Sequence, residues 1–211
     1  MSDTSLQPSG PGRPKDLAKR EAILAAAKCL FVRHGYAGSS MDAIAAHAGV
    51  SKLTVYSHFT DKETLFCAAV KARCEEQLPE LFFEFPAGAS AHNVLLNIAR
   101  GFSQLLNSSE SVELHRLMTS LGAQDPQLAK IFYEAGPQRL LAEMECLLGK
   151  MDQSGQLRIE SPKLAADQFF SLLKGGANFR LLIGCGAAET EAQQEQHARA
   201  TVEMFLRAYR P

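Results

Sequence analysis

The residues best suited to chemistry lie in one short run, Ser51-Lys52-Leu53-Thr54-Val55-Tyr56-Ser57-His58-Phe59. On a helix Val55 and Phe59, four apart, share one face and point inward. That leaves Lys52, Thr54, Tyr56, Ser57 and His58 crowded on the remaining surface, with Lys62 just beyond. Ammonium, hydroxyl and imidazole groups donate to phosphate oxygens and read base edges. None of these side chains is acidic, whereas a merely solvated face normally mixes in Glu or Asp. The set suits capture of a polyanion rather than bond making or breaking.

Bond-making chemistry finds little support elsewhere. The sequence holds no GxxxxGK[ST] phosphate loop, no GxSxG elbow and no HExxH pair. Gly184-Cys185-Gly186 is too short for a dinucleotide loop and follows no strand pattern. The six histidines include no i,i+4 pair and no carboxylate array accompanies them, so no metal and no cofactor is expected. Cysteines stand at 29, 67, 74, 146 and 185 without a CxxC motif. On one helix Cys67 and Cys74 would lie roughly 10 Å apart, too far to bridge. Scattered thiols of this kind fit a reducing cytoplasm, mostly as small core residues. A catalytic set assembled from distant residues would escape such a scan, so an enzyme without recognisable motifs stays as an alternative. A helical protein-binding adaptor is another, but it leaves the acid-free run unexplained.

The whole chain has 211 residues, 46% of them hydrophobic, and a formal net charge of −1. That balance conceals a split: residues 1–74 carry a net of +4 and residues 75–211 a net of −5. A basic head on an acidic body fits a polyanion-binding unit joined to something with another task. No stretch approaches the roughly 18 uncharged apolar residues of a membrane span. Met1–Gly12 lacks the basic start and apolar core of a secretory signal. The expectation is a cytoplasmic protein with no membrane partner.

The elements that must position Lys52–His58 follow from helical periodicity. Ile23, Ala27, Leu30 and Phe31 mark a first helix that Gly35 ends. Ser39-x-x-Asp42 reads as the start of a second, with Ile44 and Ala48 inside and Gly49 closing it. Ser51 caps the third, and Thr60-x-x-Glu63 reads as a capping box opening a longer fourth with Leu65, Phe66, Ala69 and Val70. Two short helices meeting at a glycine turn form a helix-turn-helix, whose second helix is shaped for the major groove. The alternative is an ordinary helical corner. Ahead of the first helix, Gly12-Arg13-Pro14-Lys15 is either a basic arm for the minor groove or a plain solvated tail.

The run Ser40-Met41-Asp42-Ala43-Ile44-Ala45-Ala46-His47-Ala48-Gly49-Val50 continuing through Ser51–Phe59, with Lys62 and Leu65, resembles the DNA-binding signature of the tetracycline-repressor (TetR) family. Ile23–Ala27, Leu30-Phe31 and Gly35-Tyr36 match that family's first helix. The resemblance covers residues 17–77 and implies an all-α homodimer: a three-helix DNA-binding head and a helical C-terminal domain that binds a small molecule and dimerises. Carried over by residue, it puts Lys52 and Thr54 on base edges and Tyr56, His58 and Lys62 on phosphates. Ser40, Ser51 and Ser57, with Arg13 and Lys15 of the arm, complete the candidate DNA contacts. Leu53 departs from the family's small residue or glutamine, so it meets a thymine methyl or nothing.

Beyond residue 77 the pattern stays helical, without strand signal or internal repeat. Pro79 and Pro86 bracket a break. Ser90, Asp125-Pro126 and Ser161-Pro162 read as helix starts, Gly136-Pro137 as a break and Asp152–Gly155 as a turn. Phe132–Pro137 and Gly155-x-Leu157-Arg158 resemble an AefR-like subgroup of the same family. The resulting division is a basic tail (1–16), a DNA-binding head (17–77) and a ligand-binding and dimerisation domain (78–211). The resemblance implies that helices at about 162–183 and 188–209 pair with their two-fold mates, with Gly175-Gly176 allowing close approach. Burial of those faces within one subunit is the alternative. Candidate pocket residues are His115, Arg116, Met118, Phe132, Phe169 and Asn178, because pockets are mostly apolar with few polar anchors. The expected partners are double-stranded operator DNA, a second copy of the chain and a small lipophilic or aromatic effector. The expected role is a ligand-responsive repressor, plausibly of an efflux or detoxification operon; an activator or metabolic regulator on the same fold is the alternative.

Overall fold

A computed structural model describes residues 16–77, 83–122 and 126–211, so the Arg13/Lys15 arm and the Asp125 cap lie outside the described residues. The order is α1 (Leu17–Gly38), α2 (Met41–His47), α3 (Lys52–His58), α4 (Lys62–Gln77), α5 (Ala91–Asn107), α6 (Ser109–Gly122), α7 (Pro126–Ala135), α8 (Pro137–Gln153), α9 (Pro162–Leu182) and α10 (Glu191–Ala208). No strand occurs among the described residues, and the all-α expectation is met. None of the described helices is long and apolar enough to cross a membrane. No disulfide joins the described cysteines Cys29, Cys67, Cys146 and Cys185.

Two apolar clusters organise the chain. The first gathers Ile23, Phe31, Ile44, Val55, Phe59, Leu65 and Phe66 from α1–α4 and extends into Leu114 and Met118 of α6 and Leu128 of α7. Its aromatic centre is Phe31 and Tyr36 against Phe66, with centroids 5.0 and 5.2 Å apart in edge-on geometry. The second is the body core, where Leu95 and Phe102 of α5, Met144 and Leu148 of α8, Phe169 and Phe170 of α9 and Val202 and Phe205 of α10 interdigitate. The head therefore does not close its core alone: α6 and α7 supply part of it.

Two helix starts sit one residue later than expected, for related reasons. The helical turns of α1 are interrupted at Gly35, with φ +70°, where glycine enters the left-handed region cheaply. The buried Ser39 hydroxyl answers that break by donating to the carbonyls of Gly35 (2.8 Å) and Leu30 (3.1 Å). Ser39 is thus engaged backward, and Ser40 caps α2 by accepting from Ala43 N–H at 3.1 Å. At α4 the cap is Asp61, whose carboxylate accepts from Thr64 N–H at 2.7 Å, while the Thr60 hydroxyl leans on Asp61 at 3.3 Å. A carboxylate outcompetes a hydroxyl at a helix N-terminus because it answers both the free N–H groups and the dipole. Those hydrogen bonds from Thr64 hold the Asp61 carboxyl below its usual range.

In the body, Gly136-Pro137 separates α7 from α8, with proline entering at the first turn. α8 runs through Gln153, so the turn begins only at Ser154. α10 starts at Glu191 rather than 188, where Thr190 and Gln193 form a reciprocal capping box. α5 and α10 are joined by a bidentate pair, Arg100 Nε and Nη2 to the Glu195 carboxylate at 2.7 and 2.6 Å. α9 is interrupted at Gly175, with φ +53° and ψ −174°. Opposite that break the His197 ring of α10 places Nε2 3.0 Å from the Leu172 carbonyl and 3.2 Å from that of Leu173. Carbonyls only accept, so Nε2 carries the proton.

Candidate nucleic-acid interface and effector cavity

α3 is anchored from beneath by Val55, fully buried, and Phe59, 3% exposed. Ser51 caps it, its hydroxyl accepting from Thr54 N–H at 3.1 Å and lying 2.8 Å from Thr54 Oγ1. The preceding turn depends on Gly49 at φ +67°, which lets Val50 N–H reach back to the Ala45 carbonyl at 3.0 Å. This fixes α3 against α2 and leaves its other side to solvent. Lys52 and Ser57 are exposed there, Thr54 and His58 half-buried, with Tyr56 43% and Leu53 82% exposed. Ser57 Oγ donates to the Thr54 carbonyl at 2.7 Å.

Three candidate DNA contacts behave differently from their expected roles. Lys62 turns into the head: its ammonium donates to the carbonyls of Tyr36 (2.9 Å) and Ser39 (3.2 Å) and lies 4.2 Å from the Tyr36 ring centre. Both carbonyls lie at the C-terminal end of α1, so the charge closes the head rather than facing outward for a phosphate. His58 has a buried Nδ1 without a hydrogen-bond partner among the described residues. Its ring lies 6.4 Å from that of Phe59, centre to centre. Lys52 is outward, as expected, but Asp42 of α2 meets it at 2.8 Å, and that hydrogen bond raises the pKa of the ammonium. The acid-free character belongs to α3 alone; packing α2 beside it brings a carboxylate that the run 51–59 does not contain.

The body forms a half-open cavity of about 130 Å³ between α5, α6, the α7–α8 corner and α9. Phe102, Leu106, Leu114, Phe132 and Phe170 form apolar walls, and Ser111, His115, Asp167, Ser171 and Lys174 are the polar or charged lining. Of the expected pocket residues, His115 and Phe132 line it, edge to face with centroids 5.6 Å apart. The other four do not line it. Arg116 points along another side of α6 and caps the C-terminus of α9, donating to the carbonyls of Leu182 (2.8 Å) and Leu181 (2.6 Å). Met118 packs in the head core. Phe169 is buried in the body core, and its neighbour Phe170 is the one that lines the cavity. Asn178 is buried, its amide 3.5 Å from the Leu106 carbonyl. The cavity residues overlooked in sequence include Asp167, Phe170, Ser171 and Lys174, whose spacing is that of one helical stripe.

Burial pushes the His115 imidazole below its usual pKa; the hydrogen bond to the Ser111 carbonyl opposes this, and the Lys174 charge adds a smaller push downward. On the outer side of the body Leu164, Leu172 and Phe179 of α9, Ile183 just beyond its end, and Met204 of α10 are exposed, Phe179 by 61%.

Comparison with known proteins gives this arrangement a family. Residues 23–69 match the bacterial regulatory proteins of the tetR family, and residues 93–211 match the AefR-like transcriptional repressor C-terminal domain. A TetR-family transcriptional regulator from Mesorhizobium loti is similar at 33% identity, covering 92% of this chain and 98% of that one, with a TM-score of 0.82. The flavonoid-responsive regulator FrrA is similar at 32% identity over 93% of this chain and 99% of that one, TM-score 0.79. The transcriptional repressor AcnR of Corynebacterium glutamicum is 27% identical over 188 residues, 86% of this chain and 89% of that protein. A matched head, a matched body and full-length likeness to regulators converge: the chain belongs to the TetR family of transcriptional regulators, with an AefR-like C-terminal domain.

Proposed function

We propose that the chain is a cytoplasmic, homodimeric, ligand-responsive repressor of transcription. The observation that carries this is α3, a capped rod seated on Val55 and Phe59 whose outward side presents Lys52, Leu53, Thr54, Tyr56 and Ser57. In this reading Lys52 and Thr54 meet base edges and Tyr56 a phosphate. Ser40 and Ser51 stand at helix N-termini, where backbone N–H groups also favour phosphate oxygens. Arg13 and Lys15 would follow the adjacent minor groove. Residues 17–77 act as the head and 78–211 as the body, with α6 shared between them.

Exposed Leu164, Leu172, Phe179, Ile183 and Met204 support this reading, since a two-fold interface buries apolar surface of this kind. The dimer would set two α3 helices in successive major grooves, about 34–36 Å apart, on a pseudo-palindromic operator. The effector enters the cavity. α6 carries Ser111, Leu114 and His115 on that cavity, Leu114 and Met118 in the head core, and Arg116 on α9. A ligand preferring one α6 position by a few kcal/mol would shift the head spacing. The likeness to a flavonoid-responsive regulator and to a repressor supports a lipophilic or aromatic effector and negative control. An adjacent efflux or detoxification operon fits that effector class.

The test is operator binding by gel shift on the chain's own upstream DNA. Lys52→Ala with Tyr56→Ala should abolish the shift while circular dichroism and sedimentation stay unchanged, with the dimer at twice 23.0 kDa. Wild-type binding should weaken steeply with salt as phosphate contacts release counterions. An unchanged shift in the double variant overturns the assignment.

A further inference from the structure

We infer that the cavity selects an aromatic ring bearing a hydroxyl, and that this hydroxyl donates to Nε2 of His115. The inference rests on the reading of this cavity as the effector site and specifies its ligand.

Four observations converge on it. His115 Nδ1 lies 2.7 Å from the Ser111 carbonyl. Because a carbonyl cannot donate, Nδ1 carries the hydrogen, which fixes the tautomer and leaves Nε2 as the ring nitrogen for a ligand. Burial, the largest influence on the ring, favours its neutral form against the pull of the Ser111 carbonyl, and in that form Nε2 is a lone-pair acceptor. In the same cavity Phe102, Leu106, Leu114, Phe132 and Phe170 are apolar walls that give a flat ring faces and edges to pack against. The volume of about 130 Å³ is close to the ~150 Å³ cavity that holds a benzene-sized molecule, so it has room for one ring.

The competing ligand is a carboxylate drawn by Lys174. It fits less well, because a carboxylate has no hydrogen to offer Nε2 and would place charge against its lone pair. Asp167, seven residues before Lys174 on the same stripe of α9, lines the same cavity, so a carboxylate ligand would meet a like charge there as well as the lysine. A phenolic hydroxyl meets the acceptor without that cost. An apolar ring without a donor leaves Nε2 unpaired once water is displaced.

The test is calorimetric titration of the full-length protein at pH 7.5 with 4-ethylphenol, 4-ethyltoluene and 4-ethylbenzoate, which share one ring and differ at one substituent. The phenol should bind at least tenfold more tightly than the other two. His115→Phe should bring the phenol and the toluene within twofold of each other. His115→Gln, whose amide oxygen can accept near the Nε2 position, should keep the phenol preferred, and a circular dichroism melt of each variant establishes that it folds. Equal binding of the toluene or the benzoate by the wild type, an unchanged preference in folded His115→Phe, or no uptake of any of the three overturns the proposal. Operator release is scored separately. Selective phenol uptake that leaves the protein–DNA complex intact supports the ligand chemistry and counts against the effector reading, so the two fail by different results.

Discussion

Arg116 of α6 grips the last turn of α9 by donating from Nε to the carbonyl of Leu182 at 2.8 Å, beside a second bond to Leu181 at 2.6 Å. Helix C-termini leave carbonyls unanswered, and a guanidinium placed there satisfies both the acceptors and the dipole. The neighbouring His115 lines the cavity, so adjacent residues of one helix address the ligand and the proposed dimer helix. Arg116→Ala should therefore leave operator affinity within about threefold of wild type, yet blunt its response to a saturating effector by tenfold or more, the scale of typical allosteric coupling. Anisotropy titrations with and without 4-ethylphenol measure both quantities. An undiminished response would separate this clamp from signalling.

Two lysines near the recognition helix should fail in opposite ways. Lys52 and Asp42 form an exposed pair, with side chains 59% and 63% accessible, of a kind that solvent screening leaves with little effect on stability. Lys52→Ala should leave Tm almost unmoved and weaken operator binding. Lys62 closes the head through two backbone carbonyls. Lys62→Met should cost about 1.5–3 kcal/mol, a loss of roughly 3–10 °C in Tm for a chain of this size. Calorimetry and gel shifts on the same two preparations check the pair.

Glu195 gives the acid limb of stability a defined owner. Arg100 first, then Arg199, hold its carboxyl at about 2, against an ordinary value of 4.5. The folded state thus keeps this carboxylate ionised where the unfolded chain protonates it. Its contribution is complete above pH 4.5 and is lost as pH falls from there toward about 2. Glu195→Gln should flatten the fall of Tm across that window relative to wild type. Parallel acid-limb curves for the two proteins would contradict it.

Gly175 should resist substitution for two reasons that add. Its φ of +53° with ψ of −174° lies in a region almost restricted to glycine, where other residues pay about 1–3 kcal/mol. A Cβ there would stand 3.3 Å from His197 Nε2, displacing the ring that bonds the Leu172 and Leu173 carbonyls. Gly175→Ala should be more destabilising than Gly149→Ala, where an added Cβ meets nothing within 4 Å. Thermal melts of the two variants decide.

Much of this architecture was legible from spacing alone. Val55 and Phe59 are buried and Gly49 turns the chain, because a four-residue apolar interval and a left-handed glycine have few other uses. What spacing does not settle is which of two adjacent residues does the work. Successive helical residues point about 100° apart, so Phe169 and Phe170, or His115 and Arg116, read alike while facing different neighbours. The displaced caps have the same origin: Ser39 and Ser40 differ only in whether the Gly35 break claims the hydroxyl. Lys62 was illegible as a buried-facing charge because its partners are backbone carbonyls near residues 36 and 39, and a carbonyl has no signature in the sequence.

In the proposed DNA complex the carboxylate beside Lys52 would act on discrimination. An ammonium that reaches a duplex already bonded must exchange one anion for another, so a loosely placed phosphate returns little for the swap. In that complex a well-registered site would win the exchange, whereas a misregistered one would meet the Asp42 charge as repulsion. By this logic, removing the acid would tighten grip on random DNA more than on the true operator, so Asp42 would sharpen selectivity while lowering raw affinity.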